Sequence, residues 1–430
     1  MDPLPLPPPI IIKRNSSKLY HVMHLGLSFL FIFMSFGVAQ LFQTSSDHAR
    51  SGAVALFIVY GVFSLSNLLL SSYLTQIFGL KLTLFLSSLT YVSFVAMNIS
   101  YNKYALYTAS ALLGLGAALI WTAQGSYVLI LAREHETLNM MGISSQLGYF
   151  NGLFNSIFAM NQTLGNVIAA LLFYYKVKES RIFIVMSVVG ALGSLSILFL
   201  KNVKQEQKEK RSVLSSVSLL INPRMLFIMP IICYVGLSWT YIYGSIPPLI
   251  LNNSLKFFAF VCFGLTSALS SIFFGKLSDH FHKRLVILFI GCCSHLLIYI
   301  LLFTIWFPPI DQTKVFIFLI ITCWLGVGDA IFATQLYSVL GMFFTSDNTK
   351  RPSSDIFANV KFLQAGSCAI GFFYNNYFNF KIQTVVIAST LGFGMVMLII
   401  CHYGFYSLDS EEKTIDNSDK VYKAVPLDQQ

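Results

Sequence analysis

Apolar positions along this chain fall in long unbroken blocks, neither alternating every second residue nor confined to one face of a helix. Twelve blocks stand out, at about 20–42, 51–78, 82–99, 104–131, 143–173, 182–200, 225–247, 256–277, 285–306, 315–340, 354–378 and 382–404. A helix needs about 20 apolar residues to cross the hydrocarbon core of a bilayer, so each block predicts one transmembrane helix. Strands of a membrane barrel would alternate over about ten residues, which argues against that architecture. The only substantial polar interruption, KNVKQEQKEKRSVLSSVSLLINPR from Lys201 to Arg224, divides the blocks six and six. The expected organisation is an all-α membrane protein. It has a disordered proline-rich N-terminus over 1–19, a six-helix bundle over 20–200 and a basic linker over 201–224. A second six-helix bundle over 225–404 and a tail over 405–430 complete it.

The two bundles echo each other. GLGAALIWTAQGSYV, Gly114 to Val128, returns altered as GVGDAIFATQLYSVLG, Gly326 to Gly341, with Gly-x-Gly followed by Thr122 and Gln124 or Thr334 and Gln335. Without gaps, Gly61 to Lys81 aligns with Gly264 to Arg284, pairing Ser64 with Ser267 and Phe78 with Phe281. Repeats in the same order predict parallel halves. Ser110, Gly114 and Ala118 form a ridge of small residues one turn apart, where another helix can approach closely.

Composition agrees with the bilayer reading: 56% of the 430 residues are hydrophobic, 11% are charged, and the mean hydropathy is +0.69. These values lie far from those of soluble domains, and a soluble enzyme is excluded. Basic residues mark the cytoplasmic side of a membrane protein. With an even number of spans, nineteen Lys and Arg fall on the side of the termini against eight on the other, which predicts both termini in the cytoplasm. The net charge of +10 thus serves topology and lipid contact, and no motif favours nucleic acid.

Candidate chemistry is sparse. No phosphate-binding loop, nucleophile elbow or His-Glu-x-x-His motif is present, so no enzyme activity, cofactor or metal is expected. The seven cysteines lie inside predicted spans of the second half and read as small apolar residues. His295, also within a span, reads as a helix–helix hydrogen bond, with proton chemistry as the alternative. Asn98 and Asn252 begin sequons on the outer side and are candidate glycosylation sites, close to the bilayer. Tyr422-Lys-Ala-Val425 has the tyrosine-x-x-bulky form of an endocytic sorting signal, setting endosome or lysosome against a default of the plasma membrane.

Between the eighth and ninth blocks the chain reads Gly275-Lys-Leu-Ser-Asp279-His-Phe-His-Lys283-Arg284. This resembles the loop motif of the major facilitator superfamily, in which the glycine permits close packing, the acid accepts from a helix terminus or Arg, and the basic pair anchors the loop. The first half keeps only Phe78-Gly-Leu-Lys81, so a gating loop is expected in the second half alone. GLGAALIWTAQGSYV, GVGDAIFATQLYSVLG and FANVKFLQAGSCAIGF (Phe357 to Phe372) are similar to the fourth, tenth and eleventh spans of the uncoordinated-ninety-three family. Where that family has an aromatic residue followed by Arg in the eleventh span, this chain has Val360-Lys361. The resemblance implies a facilitator bundle acting as a regulatory partner of two-pore potassium channels, or as a chaperone carrying receptors to endosomes. The alternative is a secondary transporter of a small solute or ion, coupled to protons or cations through Asp329 and Lys361.

In a facilitator fold the fourth and tenth spans line a central cavity, making Trp121, Gln124, Asp329, Gln335 and Lys361 the candidate cavity residues. Asp329 and Lys361 are the deepest ionisable residues. Counted along their helices at 1.5 Å per residue they reach similar depths. An unpaired charge there costs on the order of 2.5–3.5 kcal/mol, so the expectation is a contact between the two.

Overall fold

The computed structural model describes residues 16–139, 143–203, 218–281, 284–304, 315–345 and 353–406. Thirteen α-helices account for nearly all of these residues. They are α1 (Ser16–Gln43), α2 (Ala49–Leu69), α3 (Ser71–Phe78), α4 (Leu80–Ala96), α5 (Lys103–Asn139), α6 (Ile143–Tyr174), α7 (Glu179–Ile197), α8 (Pro223–Thr240), α9 (Asn253–Phe281), α10 (Arg284–Thr304), α11 (Val315–Thr345), α12 (Ser353–Tyr374) and α13 (Phe380–Cys401). Among the described residues, ten helices are long and apolar enough to cross a membrane, and α4 is a shorter apolar helix. The chain is therefore an integral membrane protein of all-helical build. The helix α12, which carries Lys361, is not among the ten.

Local sequence explains where helices begin, bend and stop. Asn222, Asn252 and Asn379 cap α8, α9 and α13, their side-chain oxygens accepting from the backbone N–H of Arg224, Leu255 and Ile382 at 2.9, 3.1 and 3.0 Å. Pro223 adds a residue with fixed φ at the first position of α8. The block expected as one span at 51–78 is two helices, α2 and α3, divided at Leu70. Around the break Ser71 donates to Asn67 O at 3.0 Å and Thr75 to Ser71 O at 2.6 Å. Hydroxyls bonded back to the preceding turn compete with the backbone ladder and bend helices.

At the far end of α8 the chain widens into a π turn, Tyr241–Ser245, and then a 3-10 turn, Pro247–Leu249. Pro247 has no N–H to give the carbonyl of Tyr243 four residues back. That carbonyl accepts instead from the Thr44 hydroxyl at the end of α1, 2.8 Å away. The helix α5 runs 37 residues, past the expected end of its apolar block and on through Arg133, Glu134 and His135. At 1.5 Å per residue it is about 55 Å long against a hydrocarbon core of about 30 Å.

The helices pack as two groups. In the first, α1 packs on α6 and α7, α4 on α5 and α7, and α2 on α5. In the second, α8 packs on α12 and α13, α10 on α11 and α13, and α9 on α11. The groups meet where α2 crosses α12 and α6 crosses α9. There Ser64 donates to Phe362 O at 2.8 Å and Ser254 to Ala170 O at 3.0 Å. Tyr60 stacks on Phe372 and Phe173 on Phe257, with ring centroids 5.5 and 5.2 Å apart.

Candidate functional site

The glycine repeat is a pair of notches. A Cβ on Gly114 would lie 2.5 Å from Val59 O on α2, and a Cβ on Gly326 2.5 Å from Phe263 O on α9. Only glycine lets the helices approach so closely. The second glycine of each motif faces the opposite neighbour: Gly116 leaves room for Thr90 of α4, and Gly328 for His295 of α10. Ser110 and Ala118 are fully buried on the same stripe as Gly114, and the Ser110 hydroxyl donates to Leu106 O at 2.7 Å.

His295 is fully buried in a directed hydrogen-bond chain. Its Nε2 faces the carbonyl of Leu325 on α11 at 3.2 Å and must donate to it. With Nε2 protonated in the neutral ring, Nδ1 accepts from the Tyr234 hydroxyl at 2.6 Å. Tyr234 Oη in turn accepts from Tyr299 at 2.9 Å. The chain ends on a backbone carbonyl that cannot pass a proton on, so the arrangement ties α8, α10 and α11 together and is not a relay.

Asp329, on the turn after Leu325, holds two neutral donors: Trp239 Nε1 of α8 at 3.1 Å to Oδ1, and Ser267 Oγ of α9 at 3.3 Å to Oδ2. Ser267 is the repeat partner of Ser64. Lys361 is directed elsewhere, its ammonium 5.9 Å from the ring centroid of Trp121. Around Trp121 stand Phe29, Phe33 and Phe158, with centroids 5.7, 5.2 and 5.4 Å away. The expected contact between Asp329 and Lys361 is thus not made. Similar depth does not guarantee a shared direction: Lys361 turns to the first group of helices, Asp329 to α8 and α9. Trp239 and Ser267 had no signature in the sequence, although the alignment of Ser267 with Ser64 marks that position.

Gln124 is buried, and Gln335 is 1% exposed with its amide nitrogen 3.4 Å from Phe274 O of α9 and 3.1 Å from Thr334 Oγ1. In the expected gating loop, Gly275 and Asp279 belong to the last turns of α9 and Arg284 opens α10. Lys283 and Tyr422 lie outside the described residues. Asn98 accepts from Gln43 Nε2 at 2.5 Å and donates to Phe94 O at 2.9 Å, fixing the end of α4 against α1. Near the start of α1, Lys18 and Lys201 both pair with Glu134 Oε2 at the polar end of α5. No group of three or more His, Cys, Asp or Glu fit to hold a metal occurs among the described residues.

Two groups of membrane helices joined through α2 with α12 and α6 with α9 make up a helical membrane bundle. The nucleoside transporter NupG, solved as a point mutant, has the same fold, with a TM-score of 0.60 over 90% of this chain and 99% of that one at 12% identity. The family model described as ion channel regulatory protein UNC-93 matches residues 44–399, and the chain belongs to that family. It is 26% identical to UNC93-like protein MFSD11 of Xenopus tropicalis, covering 91% of this chain and 98% of that protein. It is 27% identical to protein unc-93 homolog A of Homo sapiens, covering 88% and 92%.

Proposed function

We propose that this protein acts as a regulatory partner of an ion channel in the plasma membrane, using a transporter-type bundle as its scaffold. The observation that carries the reading is the match to the channel-regulator family over residues 44–399, nearly the whole helical region. The bundle is read as twelve spans in two parallel six-helix halves, with α2 and α3 forming one span and α4 and α12 completing the count. Equivalent pairings support this: α1 with α6 and α7 matches α8 with α12 and α13, and α2 with α5 matches α9 with α11. The excess of basic residues on the side of the termini supports a cytoplasmic location for both ends.

Co-expression with a two-pore potassium channel tests the reading, the expected result being a changed current in cells that contain both proteins and none from this protein alone. The second reading, secondary transport of a small solute, is favoured by the fold of NupG and by ionisable Asp329 and Lys361 within the helices. Solute uptake by proteoliposomes containing this protein alone, driven by a proton or sodium gradient, would establish it in place of the first.

A further inference from the structure

The carboxylate of Asp329 sits deep among membrane helices, yet both of its partners, Trp239 Nε1 and Ser267 Oγ, are neutral. No ion pair to it is made among the described residues. A half-buried carboxylate at such a place, held only by neutral donors, keeps an uncompensated charge. Trp239 is 42% exposed although it lies within a long apolar helix. The neighbours of Trp239 along α8 are covered: Tyr234 by α10, Gly236 and Thr240 by α12, and Tyr241, in the turn that follows, by α13. The free surface of its indole lies on the side these three helices leave open, and its Nε1 is bonded to the acid. Tyr243 backs it at a centroid distance of 6.1 Å.

We propose that Asp329 and Trp239 form a binding site for an organic ammonium ligand, the carboxylate serving as counter-ion and the indole face taking the alkyl groups around the charge. The same chemistry already appears across the bundle, where the Lys361 ammonium lies over Trp121. A bare metal ion fits poorly. Calcium or magnesium asks for six or more oxygen ligands, and here each carboxylate oxygen already accepts one donor and the rings of Trp239 and Tyr243 stand beside it. An ammonium carrying alkyl groups needs one carboxylate and an aromatic face. The site stands whether or not the protein regulates a channel.

The test uses full-length protein in lipid nanodiscs and calorimetric titration with benzyltrimethylammonium, whose charge is permanent, against its uncharged carbon isostere neopentylbenzene. The wild type is expected to prefer the cation by about tenfold or more, through its charge attraction to the carboxylate and its cation–π contact with the indole face. Asp329→Asn should bring the cation down to the level of the isostere. Trp239→Phe should keep most of the affinity and Trp239→Ala should lose it, so the ring series decides the matter if Asp329→Asn does not yield monodisperse protein. Equal binding of cation and isostere by the wild type, or a preference unchanged in Asp329→Asn or in Trp239→Ala, would overturn the assignment. Displacement of the cation by sodium at equal concentration would also overturn it, in favour of a metal-ion site.

Discussion

Alanine at Gly114 tests whether the glycine motif exists for close approach. The new methyl would stand 2.5 Å from Val59 O, 2.7 Å from Val62 Cβ and 3.0 Å from Phe63 N, and two of these three atoms belong to the backbone of α2. Nonbonded carbon contacts settle at about 3.5–4.0 Å, so α5 must withdraw from α2 by roughly 1 Å. Overpacking of this kind costs about 1–3 kcal/mol. Alanine returns about 0.5–1 kcal/mol of helix propensity, leaving a net loss of up to about 2.5 kcal/mol. Gly125, on the same helix, is the control, because nothing lies within 4 Å of its virtual Cβ. Gly125→Ala should therefore keep or raise stability. The obstacle at Gly116 is the side chain of Thr90, so damage from Gly116→Ala should be relieved by Thr90→Ala, whereas no side-chain truncation can clear the Val59 carbonyl from Gly114→Ala. The measurement is the midpoint of heat-induced loss of the monodisperse peak for detergent-purified protein. A Gly114→Ala midpoint equal to or above that of Gly125→Ala would refute the reasoning.

Further outcomes follow from the other contacts. Tyr234→Phe leaves His295 Nδ1 buried without its donor and should cost about 1–3 kcal/mol, read as a lower midpoint in the same assay. Since Asp329 and Lys361 bond to different helices, Asp329→Lys and Lys361→Asp should damage surface expression additively, to within about 0.5 kcal/mol, and recovery in the double swap would show that the charges meet in another state. Epitope tags at either terminus should be reached by antibody only after cells are permeabilised, and surface labelling of intact cells would reverse the proposed orientation. Tyr422→Ala should slow uptake from the plasma membrane if the tail motif is read, and unchanged uptake would remove the motif from consideration.

The apolar blocks located the helices well because the bilayer imposes length and composition on each span separately. Breaks within a block were harder to see: Leu70 is an ordinary apolar residue, and the division there lies in the hydroxyls of Ser71 and Thr75 turning back on the helix. The glycine motif was legible as a packing device, while the filler of each notch, Thr90 or His295, lies in another block and carries no signature of its own. The pairing expected for Asp329 failed for a related reason. Rise per residue gives depth, but the direction a side chain faces depends on which helices surround it, and Trp239 and Ser267 were nearer.

Each notch and its filler belong to one of the two packed groups of helices: Gly116 with Thr90, Gly328 with His295. Compensating changes between glycine and filler are thereby confined within a group. A chimera that takes a whole group from a relative, with its crossover between α7 and α8, carries its matched pairs with it. A crossover between α10 and α11 would set one parent's filler against the other parent's backbone, so recombination between the groups should give folded hybrids far more often than recombination within either one.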